Sequence, residues 1–480
     1  MKRSSGVLLH ISSLPGKYGC GDFGRGAVEF IDTIAAAGFS WWQVLPFCVP
    51  DIYASPYSSM STFSGNPYFI DLRELNRRGL LTDEEPASAE EAGPYACEFD
   101  RLGTERLPLL FRAAKRAAGD AGTVSAVDGF MSENPRVAEF CLFMARREAN
   151  RGLPWQEWTT DGYDPDTLFA WRFIQYEFFT EWAKVKAYAN SKGIGVIGDI
   201  PFYVALDSSD VWGNRSQFLL DRDGRPEWVA GVPPDYFSEE GQLWGNPLYD
   251  WKYMRADGYS FWRDRLAFML SMFDGIRIDH FRAVESYFAI PGDAKTARDG
   301  SWRRGPGLEF AGIIKNIAGD KLIIAEDLGD DTAKARALIE KCGFSGIRVL
   351  QFGFTPGRDM HHRPHSYPEK CAAYTGTHDN NTLLGDVYEM PPDCRRELFD
   401  YCGCSDNFDA ACVQIIRMLM ASAAGTVIIP MQDILGFGAD TRMNRPGIGV
   451  GNWSFRITYS QLADFDVGRF ARMNSLTGRK

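Results

Sequence analysis

The stretch KLIIAEDLG at residues 321–329 places four apolar residues directly before two acids, Glu326 and Asp327. A short apolar run that ends in polar groups is typical of a strand buried on both faces of a parallel sheet. The stretch FDGIRIDH at residues 273–280 follows the same pattern and ends at Asp279 and His280. Together the two stretches predict buried parallel strands whose ends carry acids.

Eight such runs occur along the chain, and helical stretches at residues 26–37, 169–190 and 332–341 lie between some of them. The runs are residues 6–10, 40–46, 195–201, 273–280, 321–327, 346–352, 372–379 and 425–433. Their ends carry His10, Gln43, Asp199, Asp279, Glu326, Gln351, Asp379 and Asp433. This pattern predicts an α/β fold, a (β/α)8 TIM barrel, with its site at the C-terminal ends of the strands.

Two long insertions are predicted over the mouth of a single catalytic barrel that spans residues 1–480. Residues 51–168, with helical parts at 105–118 and 135–149, predict an inserted helical subdomain. Residues 202–260, rich in Trp, Tyr, Gly and Pro, predict an inserted substrate-binding loop region. We expect no separate β-domain after the barrel.

Composition narrows the range of partners. A net charge of -11 repels phosphate backbones and anionic lipid, so neither nucleic acid nor a membrane is an expected partner. Aromatic residues make up 14% of the chain, which suits stacking on a neutral carbohydrate, although many of them will fill the core. The ten cysteines show no paired framework and no signal peptide is recognisable, so we expect reduced thiols and a cytoplasmic location.

Arg277 and Asp279 lie two residues apart, so both side chains point to the same side of their strand. An arginine beside a carboxylate keeps it ionised and oriented, as a nucleophile that attacks an anomeric carbon must be. An ordinary salt bridge at the barrel rim explains the pair equally well.

Glu326 follows an apolar run and stands next to another acid, surroundings that raise the pKa of a carboxyl and suit a general acid. An acid at a helix N-terminus is the alternative. In YTGTHDNNT at residues 374–382, His378 and Asp379 could bind sugar hydroxyls, and Asp379 adds negative charge near an oxocarbenium-like centre. A plain loop is the alternative there.

Two other clusters are weak metal signals. HHRPH at residues 361–365 contains Pro364, which breaks any helix that would align its histidines. Cys402 and Cys404 lack the usual two-residue gap and a second pair. We therefore expect no metal, and protonation with carboxylate attack needs no organic cofactor.

Several longer motifs resemble a known family. They are LLHISSLPG (8–16), SPYSS (55–59), GNP (65–67), GDIP (198–201), VAGVPPDYFS (229–238) and GQLWGNPLY (241–249), together with the three strand ends above. The sequence is similar to the amylomaltases, or disproportionating enzymes, of glycoside hydrolase family 77 in the α-amylase clan.

This resemblance implies a 4-α-glucanotransferase, a glycosyltransferase acting on α-1,4-glucans by retaining double displacement. It implies Asp279 as nucleophile, Glu326 as general acid and base, and Asp379 as transition-state stabiliser. It implies sugar contacts from Tyr57, Asp199, Trp244, Arg277, His280, Asp327 and His378, and places Tyr236 and Phe237 on a mobile loop over the acceptor side. The implied partners are malto-oligosaccharides, glucose and glucans derived from starch or glycogen.

Three alternatives remain at this stage. An α-amylase or α-glucosidase type hydrolase would use the same carboxylates, and only water as acceptor would distinguish it; an aromatic lid that excludes water favours transfer. A silent glucan-binding protein would require the loss of a catalytic carboxylate, and all three are present. A barrel that uses a divalent metal would need paired ligands, which the histidines do not form.

Overall fold

The computed structural model describes residues 3–50, 54–234, 239–329, 332–357, 359–404 and 406–479. Its strands within these ranges are β1 Ser4–Leu8, β2 Trp41–Gln43, β3 Gly195–Ile200, β4 Trp228–Val232, β5 Gln242–Pro247, β6 Gly275–Ile278, β7 Ser286–Pro291, β8 Ser301–Arg304, β9 Leu322–Ala325, β10 Ser345–Val349, β11 Cys371–Tyr374 and β12 Thr426–Pro430. Its helices are α1 Arg25–Ala36, α2 Leu72–Arg77, α3 Phe99–Arg101, α4 Leu107–Ala117, α5 Ala121–Glu133, α6 Pro135–Ala149, α7 Pro165–Ser191, α8 Ser209–Gly213, α9 Trp251–Ala256, α10 Ser260–Met272, α11 Gly307–Ala318, α12 Ala333–Cys342, α13 Leu383–Glu389, α14 Pro392–Cys402, α15 Phe408–Ala421, α16 Met431–Leu435, α17 Tyr459–Ala463 and α18 Val467–Leu476.

The eight apolar runs form the eight strands of a closed parallel barrel, so the predicted TIM barrel is confirmed. Its strand order is β1, β12, β11, β10, β9, β6, β3 and β2. The first strand closes the barrel by pairing with β2 on one side and with β12 on the other, with Ser4 opposite Thr426. The C-terminal ends of all eight strands therefore meet at one mouth.

The alternation of strand and helix is broken once. Between β10 and β11 the described residues form only short 3-10 turns, at Leu350–Phe354, Met360–His362 and Pro364–Ser366. Prolines at positions 356, 364 and 368 explain the difference, because each removes a backbone donor and clashes with the preceding turn.

The first insertion, residues 51–168, is largely helical in the described part of the chain. Helices α2 to α6 lie within residues 51–168, and the expected helices at 105–118 and 135–149 correspond to α4 and α6. Both pack on the long barrel helix α7, which begins where Asp164 accepts a hydrogen bond from the backbone of Thr167 at 2.8 Å.

The second insertion differs from the loop expected at residues 202–260. It contains β4 and β5, which join β7 and β8 in an antiparallel sheet of order β5, β4, β7, β8 beside the barrel. Glycine and proline interrupt the alternating pattern of these strands, and β7 (Ser286–Pro291), the second partner of β4, lies outside the insertion. Both facts hide the sheet from a local reading of the sequence.

An aromatic cluster supports the strands that carry the site. Trp182 of α7 packs between Phe47 and Phe273, with ring centroids 4.7 and 5.5 Å apart. Gly198 in β3 makes this packing possible, because a Cβ there would lie 2.3 Å from the Phe273 ring. The backbone just before Asp199 is thereby held against a rigid core.

Candidate active site

An open cleft of about 370 Å³ lies at the mouth of the barrel. Aromatic, carboxylate and imidazole side chains make up much of its wall, a composition suited to a polar ligand with apolar faces. Those wall residues include Tyr57, Tyr203, Trp244, Asp279, His280, His378, Asp379, Asn444 and Trp453.

Arg277 of β6 is the hub of the site. Its Nη1 contacts both oxygens of Asp199 at 2.9 and 2.7 Å, and only 3% of its side chain is exposed. Its Nη2 contacts Asp279 Oδ1 at 2.8 Å and Glu326 Oε2 at 2.9 Å. The hydroxyl of Tyr57 donates to Asp199 at 2.8 Å and completes the cluster. One guanidinium therefore orients three carboxylates from three neighbouring strand ends.

Asp279 and Glu326 are held close together. Because an oxygen of each lies within hydrogen-bond distance of the same Arg277 nitrogen, the pair is nearer than the roughly 6.5–9.5 Å that leaves room for a water in inverting glycosidases. Burial raises the pKa of Asp279 to about 7; Arg277 opposes the rise and the charge of Glu326 adds to it. The sequence-based expectation gave the raised pKa to Glu326 and an ionised state to Asp279, whereas in the structure the raised pKa is that of Asp279.

His280 has a left-handed backbone, with φ 47°. This conformation, uncommon outside glycine, directs its N–H to Glu326 Oε2 at 2.8 Å. Burial lowers the pKa of the His280 imidazole to about 4, so the ring is neutral at pH 7. Trp244 of β5 meets that ring edge to face, with centroids 4.9 Å apart.

Asp379 faces the pair from the end of β11. Burial alone would raise its pKa, but His378 and a hydrogen bond from Asn444 bring the pKa below its ordinary value. Burial would lower the pKa of His378, and Asp379 raises it instead. The His378 Nε2 to Asp379 Oδ2 distance is 3.3 Å. The arrangement favours an ionised carboxylate beside a protonated imidazole.

Stacked rings form one wall of the cleft. The ring of Tyr57 stacks on His378 with centroids 5.0 Å apart and planes 14° from parallel. Trp453 packs against both, at 5.7 Å from Tyr57 and 5.9 Å from His378. A wall of this kind offers flat faces to the C–H surfaces of a sugar.

Two of the expected sugar contacts lie behind the wall. Asp199 is fully buried and its oxygens are bound by Arg277 and Tyr57. Asp327 points away from the cleft, because successive side chains at a strand end alternate in direction. Its carboxylate accepts the N–H of Ile347 at 2.8 Å and contacts Arg348 at 3.3 Å. As the structure stands, these two acids support the site without facing the cleft.

Of the other expected contacts, Tyr57, Trp244, His280 and His378 line the cleft, while Arg277 lies beneath its floor. Tyr236 and Phe237 fall outside the described residues. The roles assigned to all of these residues stay predictions.

The segment after β12 also contributes to the site, although no motif in it indicated this. There Asn444 donates to Asp379 Oδ1 at 2.6 Å, and Arg442 donates through Nη2 to the Asp379 carbonyl at 2.5 Å. The string RMNRPGIGVGNW at residues 442–453 is rich in Gly and Asn and follows a barrel strand, which is the signal that could have drawn attention to it.

Within the described ranges, no group of three or more His, Cys, Asp or Glu side chains is placed to hold a metal ion. His362 and His365 of the HHRPH stretch make protein contacts instead. The first accepts the N–H of Val349 at 2.9 Å, and the second lies 2.8 Å from the hydroxyl of Tyr401. No helix in the described part of the chain has the length and apolarity needed to cross a bilayer. All ten cysteines are free thiols.

Comparisons with known proteins show the family to which the chain is similar. A family model described as 4-alpha-glucanotransferase matches residues 9–461. The chain is 39% identical to a 4-alpha-glucanotransferase of Synechocystis sp., covering 100% of this chain and 98% of that protein. It is 41% identical to one from Streptococcus pneumoniae, covering 96% and 94%. An amylomaltase from Streptococcus agalactiae, solved in complex with acarbose, superposes with a TM-score of 0.96 at 35% identity over 100% of both chains.

Proposed function

The chain belongs to the 4-alpha-glucanotransferase family, and from that membership we propose that it transfers glucan segments by retaining double displacement through Asp279, Glu326 and Asp379. It is a glycosyltransferase acting on α-1,4-glucans. The observation that carries the mechanism is the single Arg277 nitrogen bound to both Asp279 and Glu326. That bridge favours the close spacing of a retaining pair, about 5–5.5 Å between carboxyl groups.

In the first step Glu326 donates its proton to the oxygen of the glycosidic bond, and Asp279 attacks the anomeric carbon. The bond between that carbon and the leaving oxygen breaks, and the glucan remains as an ester on Asp279. In the second step Glu326 takes the proton of an acceptor 4-hydroxyl, which displaces Asp279. Because the pKa of Asp279 is raised to about 7, this carboxyl must lose its proton before it attacks.

Asp379 is proposed to stabilise the positive charge that develops on the sugar ring. Its low pKa keeps it ionised. The Asp379 carboxylate and the neighbouring His378 imidazole are both proposed to bind sugar hydroxyls. Tyr57 and Trp453 are proposed to hold the donor ring against the same wall. Trp244 and His280 lie across the cleft and are proposed to bind on the other side of the scissile bond.

The proposed substrates are malto-oligosaccharides, glucose as an acceptor, and glucans derived from starch or glycogen. We place the enzyme in the cytoplasm, a location that ten free thiols would tolerate. Tyr236 and Phe237 are retained from the sequence as a proposed acceptor lid.

Incubation with maltotriose tests the proposal. A transferase yields glucose together with a ladder of longer oligosaccharides, while the total number of reducing ends stays constant. The Asp279→Ala variant is the matched control and should yield neither. A steady rise in reducing ends without longer products would identify a hydrolase and contradict the proposal.

A further inference from the structure

Asn444 connects the segment after β12 to the end of β11. Its backbone N–H donates to the His378 carbonyl at 3.1 Å, and its side-chain Nδ2 donates to Asp379 Oδ1 at 2.6 Å. Arg442 secures the same junction, because its Nε donates to the Asn444 carbonyl at 2.7 Å and its Nη2 to the Asp379 carbonyl. Backbone and side chain of Asp379 are thus both held from one segment.

The two oxygens of Asp379 have different partners. Oδ1 accepts from Asn444, Oδ2 faces His378 at 3.3 Å, and 40% of the Asp379 side chain is exposed. Without the Asn444 amide, the carboxylate could turn about its last bond and lose this orientation of its two oxygens. The ionisable groups around it are His378 on its own strand end, Arg277 and Asp279 of β6, Tyr57, and Arg442.

We propose that Asn444 is a positioning residue for Asp379: its amide fixes one carboxylate oxygen so that the other faces the reacting sugar. The inference rests on the role proposed above for Asp379 as transition-state stabiliser. An amide suits the task because it donates without charge, whereas a second carboxylate at 444 would repel Asp379. The hydrogen bond also helps to keep the pKa of Asp379 low, against the effect of burial.

A positioning role predicts a loss in the chemical step rather than in binding. Asn444→Leu keeps the size of the side chain and removes both donors, and kcat for maltotriose should fall about 10- to 100-fold while KM changes by less than about threefold. Asn452→Ala is the matched control. Asn452 accepts the N–H of Arg445 at 2.9 Å in the same segment, so the control loosens the segment and leaves the Asn444 amide in place. Its kcat should stay within about twofold of wild type.

Asn444→Asp supplies a readout that loss of structure would not give. At pH 8 the introduced carboxyl is ionised and repels Asp379, so kcat should be as low as in Asn444→Leu. The charge of Asp379 raises the pKa of the introduced carboxyl, so that at pH 5 it holds a proton and can donate its O–H to Asp379 Oδ1. The kcat relative to wild type at the same pH should then recover at least about fivefold. Asn444→Leu should show no such recovery.

Three results would overturn the inference: an equal loss in Asn452→Ala, a rise in KM without a fall in kcat, or no recovery of Asn444→Asp at low pH. If Asn444→Leu fails to fold, as judged by circular dichroism, the pH test on Asn444→Asp decides alone. Wild-type transfer on maltotriose is measured in every series. Its absence would refute the proposed function, whereas its presence with an unaffected Asn444→Leu would refute only the positioning role.

Discussion

Two buried arginines lie at opposite ends of the barrel, and their positive charges have different kinds of partner. At the mouth, Arg277 is paired with Asp199, Asp279 and Glu326. At the bottom, Arg479 is fully buried and, among the described residues, its nitrogens meet only backbone carbonyls. These belong to Met420, Ser422, Ala424, Gly425 and Ser4, at 2.7 to 3.3 Å.

The kind of partner decides whether a buried arginine serves the reaction or the stability of the fold. Carboxylates can gain or lose protons and can attack carbon. An arginine that binds several of them therefore positions groups that can react. Carbonyls cannot titrate, so an arginine that gathers them only fastens chain segments, here the entry to β1 and the turn before β12. Substitutions at the mouth should therefore affect rate, and those at the bottom should affect stability.

The largest expected effect is on Asp279. Asp279→Ala removes the proposed nucleophile, and transfer from maltotriose should fall by at least about 10⁴-fold, measured as initial glucose release. Asp279 is partly exposed at the mouth of the barrel and its raised pKa shows that its charge is not favoured there, so the thermal midpoint should change little. Arg479→Met is the opposite control and should retain wild-type rates at 25 °C. Activity of Asp279→Ala within tenfold of wild type would remove Asp279 from the mechanism.

Glu326→Gln should lose about 10³-fold with natural glucans, because the amide cannot protonate the leaving oxygen. With an α-glucosyl fluoride donor the loss in forming the enzyme ester should be much smaller, since fluoride leaves without a proton. Single-turnover rates on the two donors give the comparison. A loss of the same size on both would argue that Glu326 acts through Arg277 rather than as the acid.

Arg479→Met should lower the free energy of unfolding by about 3 kcal/mol, because it leaves several buried carbonyls without donors. Urea unfolding followed by fluorescence measures the change. Arg472→Met, on the exposed side of α18, is the control and should shift stability by no more than about 0.5 kcal/mol. A stability loss equal to that of the control would mean that water replaces the arginine at these carbonyls.

The smallest expected effect is a pH dependence. Burial raises the pKa of Asp279 to about 7, so this carboxyl gains a proton as pH falls through that value. A protonated Asp279 cannot attack, and kcat/KM should fall by up to about tenfold per pH unit on the acidic side. Arg479→Met should give the same profile. A flat profile from pH 5 to 7.5 would show that Asp279 stays ionised over this range.

The strand ends of the barrel were predictable because burial on both faces leaves a continuous apolar run, and the chemistry begins where that run stops. The pairing of Arg277 with Asp279 followed from the two-residue period of a strand. The same period explains why Asp327, one residue after Glu326, faces β10 instead of the cleft. That misplacement could have been avoided from the sequence alone.

Asn444 was beyond the reach of local patterns. Its contact with Asp379 joins residues 65 positions apart in sequence, and no local pattern around either residue indicates the contact. The same applies to β4, whose partner β7 comes after an intervening barrel strand, β6. Periodicity reports which face of an element is buried and says nothing about which distant segment covers it.

The closure of the barrel by β1 and β12 also bears on how the chain is made. Strand β1 is synthesised long before β12, the neighbour that begins at Thr426. Until that strand is synthesised, one row of β1 backbone groups has no native partner and offers an edge to any other nascent strand. This edge stays open until β12 has been made, and a chain released before Thr426 cannot close its barrel.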